Sequence, residues 1–155
     1  MTPSSPHGQL QRLVTQGRLG RLDAPNLESA AQLLEDAQAH ARGVDALVVA
    51  RDWAGALLVA YELGRKAALA TLLTHGYRPA GQDGEHAVTF EAADHLLSGG
   101  ARQALRDARY LRRERNDNMY RQVSVAERDA VEAQGVARAI AANVLPAVAR
   151  NITGR

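Results

Sequence analysis

The sequence predicts an all-α protein, an up-and-down bundle of four to five helices. Three observations carry this. Apolar residues recur at spacings of three and four over long segments, which lines one face of a helix with 3.6 residues per turn. Residues that cap or stop helices stand at the ends of those segments. No run alternates apolar and polar residues as a half-buried strand does, and the five aromatic residues other than Trp53 are scattered.

Residues 1–25 contain Pro3, Pro6 and Pro25 with little sustained periodicity, so they read as a loose N-terminal arm holding at most one short helix over residues 9–16. Residues 26–150 form the helical bundle domain. Asn26 caps the first long helix, whose apolar face is Leu27, Ala30, Leu34, Ala37, Ala41, Val44 and Val48, with Gly43 a weak point. Asp52 caps the second, which starts at Trp53 and is apolar nearly all round apart from Glu62, Arg65 and Lys66. A helix of that kind is buried on most sides and so is central. It stops at His75-Gly76, where a left-handed glycine closes it.

"YRPAGQDGEH" is a loop by its Pro and Gly content. Thr89 then offers a cap for a short helix through Leu97, ended by Ser98-Gly99-Gly100. The next helix is "ARQALRDARYLRRERNDNMY". Ser124 and Glu127 fit a capping box that opens the last helix, with Ala130, Ala133, Ala137, Ile140, Val144 and Val148 on one face and a kink at Pro146.

The chain's 155 residues suit one core, and the absence of cysteine excludes disulfides, thiolate nucleophiles and zinc–thiolate sites. The longest apolar run, "WAGALLVAY", is far too short to span a bilayer, and "MTPSSPHGQLQR" lacks the apolar core of an export signal. These features point to a cytoplasmic protein with no membrane contact. There is no H-E-x-x-H, no acidic cluster at metal spacing and no phosphate-binding glycine loop; "GRLGRLDA" lacks both a strand and the Lys-Ser/Thr pair. No metal or cofactor is implied.

Net charge is only +2, yet residues 101–121 hold seven arginines against Asp107, Glu114 and Asp117. On a helical wheel Ala104, Leu105, Ala108, Leu111 and Met119 cluster on one side, and Arg102, Arg106, Arg109 and Arg113 form an opposite stripe that reads as a solvated face. Arg115 falls in the middle of the apolar side. A guanidinium there costs several kcal/mol unless paired. It is either a buried ion pair, with Glu62 as one acceptor, or a phosphate ligand at a groove or dimer face.

The residues "ERNDNMYR", followed by "VSVAERDAVEAQGVARAI", resemble the HEPN family of small helical domains, many of them ribonucleases of prokaryotic toxin–antitoxin and defence systems. "AYELGRKAALATLLTHGYRPAGQDGEH" looks like that family's central helix and following loop, so the likeness covers roughly residues 33–148. The family signature is Arg, usually a polar residue, then His four to six positions after the Arg. Arg115-Asn116 supplies the first two elements and places Tyr120 at the His position. A second register starts at Arg113, puts Asn118 at the His position, and leaves Tyr120 where toxin members carry a tyrosine that a partner nucleotidyltransferase modifies with AMP. Both registers lack the histidine. His7 and His40 lie far away in sequence, and His95 reads as a helix-surface or core residue. His86 occupies the loop where relatives often show a histidine; a structural hydrogen bond is its first expected role.

The resemblance implies a HEPN-like bundle acting on RNA as a homodimer, with an antitoxin or nucleotidyltransferase partner. It implies Arg115, Asn116 and Tyr120 at the scissile phosphate, and Arg112, Arg113, Asn118 and Arg121 along the RNA backbone. Metal-independent cleavage needs a group to take the 2′-OH proton and an acid for the leaving oxygen. Tyrosine, with an ordinary pKa near 10, is a poor base. The alternative implied by the same residues is a catalytically inactive HEPN module that binds RNA, nucleotide or protein.

Overall fold

A computed structural model describes residues 5–81, 84–121 and 124–154, with the side chains of 112–121 outside that description. In chain order the elements are α1 (Pro6–Thr15), β1 (Leu19–Arg21), α2 (Leu27–Val49), α3 (Trp53–Thr74), β2 (Tyr77–Pro79), α4 (Glu85–Leu96), α5 (Gly99–Arg121), α6 (Glu127–Asn143) and α7 (Leu145–Thr153). The fold is a helical bundle around α3, which packs against α2, α4, α5, α6 and α7.

The centre follows from composition. Thirteen residues of α3 are buried, spread around its circumference, and Asp52 Oδ1 accepts from Gly55 N at 2.9 Å to start it. It ends as expected: His75 is the C-cap and Gly76 takes a left-handed φ of 81°. Helix α2 begins at Asn26, whose Oδ1 accepts from Ser29 N, and buries Ala30, Ala37 and Val44. It lies antiparallel to α3: Asn26 N donates to Leu73 O, Lys66 reaches Asp36, and Gly43 faces Val59.

Where α3 meets α5 the backbones come close. A Cβ added to Gly64 would sit 2.7 Å from Ala108 Cβ. Ala104, Leu105, Ala108 and Leu111 of α5 are all buried, the apolar side read from the wheel. Helices α6 and α7 meet at Val144, whose backbone stays right-handed helical, with Pro146 in the first turn of α7, where its missing N–H is not needed. Their inner face, Ala130, Ala133, Ala137, Ile140, Val144 and Val148, is buried as the spacing predicts.

Five expectations are corrected. Among the described residues there are seven helices, or six if α6 and α7 are counted as one, rather than four to five. Residues 5–25 are not a loose arm: Ser5 caps α1, and Leu10, Leu13 and Leu19 are buried in the core cluster. Burying each leucine contributes about 1.5–3 kcal/mol, enough to dock a short segment with weak periodicity. Strand β1 lies within "GRLGRLDA" and pairs antiparallel with β2 (Leu19↔Pro79, Gly20↔Arg78, Arg21↔Tyr77), and three residues are too few to reveal alternation. Two helix starts also move. Thr89 lies inside α4, its hydroxyl donating to Glu85 O at 2.8 Å, which lets a potential cap sit mid-helix. At α6 the box expected at Ser124 and Glu127 does not form: the N-cap moves to Ala126, which has no capping side chain, and Asp129 Oδ2 accepts from Ala126 N at 3.1 Å.

Candidate functional site

Helix α5 is seated on α3 by its apolar side, and its backbone stays helical through Arg121. Arg112, Arg113, Arg115, Asn116, Asn118, Tyr120 and Arg121 therefore all belong to the final turns of this one helix. Their side chains lie outside the described residues, as do the expected Arg115–Glu62 pair and the expected place of Met119 on the apolar side of the wheel.

The earlier arginines of α5 have structural work. Arg106 forms a two-point pair with Asp94 of α4, Nε to Oδ1 at 2.7 Å and Nη2 to Oδ2 at 3.2 Å. That hydrogen bonding holds its guanidinium further above its ordinary pKa. Arg102 Nε donates to the Asp94 backbone carbonyl at 2.9 Å, filling an acceptor at the end of α4. The stripe expected to be only solvated thus ties α5 to α4 through two of its arginines, while Arg109 is exposed.

The structure places His86 in the first turn of α4 rather than in a loop. Its Nδ1 lies 3.0 Å from the hydroxyl of Tyr61, and the phenol ring is fully buried and tilted against Phe90. A buried tyrosine hydroxyl needs a partner, so this contact is the structural role expected for His86.

One grouping was not anticipated. Half-buried ionisable residues of α2 and α3 come together: Lys66 bonds to Asp36 at 3.3 Å, and Arg65 bonds to Glu62 through both Nε and Nη2, at 3.2 and 2.9 Å. His40 lies among them. Burial, then the Lys66 ammonium, hold its imidazole below the usual histidine range, against the opposing pull of Asp36 and Glu62. Hydrogen bonds from Lys66 and Gln32 hold Asp36 below the carboxylate range. The sequence did carry a signal, because Asp36/His40 and Glu62/Lys66 are both spaced i, i+4 on neighbouring helices. His40 is distant in sequence from the α3 residues, and only the antiparallel α2–α3 pairing brings them together.

Beside α5 runs a groove of about 340 Å³ shared with α6, lined by Tyr110, Leu111, Gly135, Val136 and Ala139 with Asp107 and Glu132. Tyr110 and the neighbouring Val131 are more than half exposed, at 54% and 51%. Among the described residues, no three His, Asp or Glu side chains converge as a metal site, and no helix is long and apolar enough to cross a membrane. No family model, curated protein or solved structure matches the chain.

Proposed function

We propose that this chain is a HEPN-type RNA-acting protein, the toxin-like component of a prokaryotic toxin–antitoxin or defence system, and a metal-independent endoribonuclease working as a cytoplasmic homodimer. The supporting observation is that the arginine-dense stretch continues, as backbone helix, an α5 whose first half is clamped to α3 and α4. Arg115 and Tyr120 are then about 7.5 Å apart along the axis of a rigid element. Arg115, backed by Asn116, holds the scissile phosphate and stabilises its added charge. Tyr120 orients the phosphate or protonates the leaving oxygen, and Arg112, Arg113, Asn118 and Arg121 follow the RNA backbone. The exposed Tyr110 and Val131 beside the α5–α6 groove suit pairing of two copies along this face.

Tyrosine at the histidine position favours a second reading, a HEPN-like module that binds RNA, nucleotide or a protein without turnover. Loss of a general base typically removes 10²–10⁴-fold in rate, so the two readings separate by slow cleavage against none. Purified protein is incubated with RNA in EDTA, with Arg115→Ala alongside. Slow cleavage abolished by the substitution supports the nuclease. Salt-sensitive binding with no cleavage leaves the binding module, and neither cleavage nor binding removes the nuclease and the RNA-binding form of the module. Intact-mass analysis after co-expression with an adjacent nucleotidyltransferase tests AMP addition, expected at Tyr120, and an unshifted mass on every molecule removes that modification.

A further inference from the structure

At the C-terminal end of α3, two depressions of about 530 and 160 Å³ share His75. The larger is lined by Thr74, His75, Arg150, Asn151 and Gly154. The smaller lies against Arg21, Asp23, Pro25 and Tyr77. His75, Arg21 and Arg150 are all exposed. Arg21 stacks over the Tyr77 ring at 5.8 Å and gives one long bond to Gln11, which leaves most of its donors to a ligand. Arg150 has no side-chain hydrogen bond or ion pair among the described residues.

Helix C-termini carry partial negative charge and ordinarily repel phosphate. Here several of those carbonyls already accept hydrogen bonds within the chain. Thr71 O accepts from Thr74 Oγ1 at 2.9 Å and from His75 Nδ1 at 2.8 Å. Leu72 O accepts from His75 N, and Leu73 O accepts from both Gly76 N and Asn26 N. At the end of α7, Arg150 O accepts from Gly154 N and the Thr153 hydroxyl. Among the described residues that line the two depressions, the charged and imidazole side chains are two guanidinium groups and His75, against the one carboxylate of Asp23.

The bond to Thr71 O puts the proton of neutral His75 on Nδ1, so Nε2 is an acceptor. A ribose 2′-hydroxyl can donate to it, and a deoxyribose cannot. We infer that this surface holds single-stranded RNA, with Arg150 and Arg21 on two phosphates and His75 Nε2 accepting from a 2′-hydroxyl between them. The inference rests on the RNA-acting reading but concerns a surface apart from α5, which crosses α3 at Gly64, about 16 Å along the helix from His75.

Fluorescence anisotropy of a short labelled single-stranded RNA, and of DNA of the same sequence, tests it over a range of salt in EDTA. Arg21→Gln and Arg150→Gln should each weaken RNA binding about 3–10-fold and lower the salt slope by about one. His75→Ala should shrink the preference for RNA over DNA several-fold. Asp23→Asn should tighten binding about 2–3-fold, a gain that misfolding cannot imitate. If these four variants bind as wild type while Arg115→Ala loses affinity, this surface is refuted and the RNA-acting reading stands. If wild type binds no RNA, that reading falls and takes the inference with it.

Discussion

The approach of α3 to α5 at Gly64 sets a stability experiment with a built-in contrast. A Cβ at position 64 would lie 2.7 Å from Ala108 Cβ, whereas nonbonded carbons rest at about 3.5–4.0 Å, so roughly 1 Å must open between the helices. Rotamer changes cannot supply it, because Ala108 has no χ angle and is fully buried, and Ile140 Cδ1 and Phe90 Cε1 fill the space beyond at 3.6 and 3.7 Å. Overpacking of this kind costs about 1–3 kcal/mol, with the upper end apt where backbone must move. The gain in helix propensity offsets about 1 kcal/mol. Gly64→Ala should therefore lose about 2 kcal/mol, or about 4–8 °C in Tm at this chain length. Gly43→Ala meets only Val59 Cγ1 at 3.9 Å, and Gly135→Ala meets nothing within 4 Å. Both should gain about 0.5–1 kcal/mol. Equilibrium urea unfolding followed by circular dichroism reads all three, and a Gly64→Ala protein as stable as Gly43→Ala would refute the close crossing.

Tyr61→Phe removes the hydroxyl that meets His86 at 3.0 Å and should cost about 0.5–1.5 kcal/mol in the same assay. An unchanged midpoint would mean that this bond contributes nothing. Leu111→Ala empties a side chain that is 1% exposed and should cost about 2–5 kcal/mol, toward the lower end because the adjoining groove lets the site relax. A loss below that range would place Leu111 outside the core. His40 binds its proton less readily folded than unfolded, so its contribution to stability is complete above its unfolded value of about 6.5 and is lost as pH falls through the lower folded value. Asp36, also lowered, adds loss at more acidic pH. Urea midpoints at a series of pH values should fall from pH 7 toward pH 5 in wild type and less in His40→Gln. Parallel profiles would show that His40 is not the titrating group.

Long amphipathic segments were legible because each repeats its signal over many turns. The face from Ala30 to Val44, the all-round burial of α3 and the stop at Gly76 rest on local spacing and caps, and tertiary contacts agree with them. Elements whose reason is distant were not legible. Strand β1 exists because Tyr77 and Pro79 offer an edge nearly sixty residues later, and α1 is held by leucines that meet α4. The site divides in the same way. That α5 has one apolar side was readable, but Asp94 as the partner of Arg106 depends on how α4 turns into α5. The His40 grouping needed the register of α2 against α3. The roles proposed for Arg115 and Tyr120 rest on the motif residues alone.

The docking of α1 has a consequence for the order in which the chain can fold during synthesis. Leu10 and Leu13 are made before the segments they pack with, since α1 finds its neighbours in β1, itself paired with residues 77–79, and in α4 at residues 85–96. A ten-residue helix is marginal alone in water. Roughly 75 more residues must be added before its partners exist, several seconds at typical elongation rates of about 5–20 residues per second. The α2–α3 hairpin, whose contacts are local, can form within that interval. Residues 5–21 thus behave as a latch, made well before its partners and closing only when the polypeptide has reached α4.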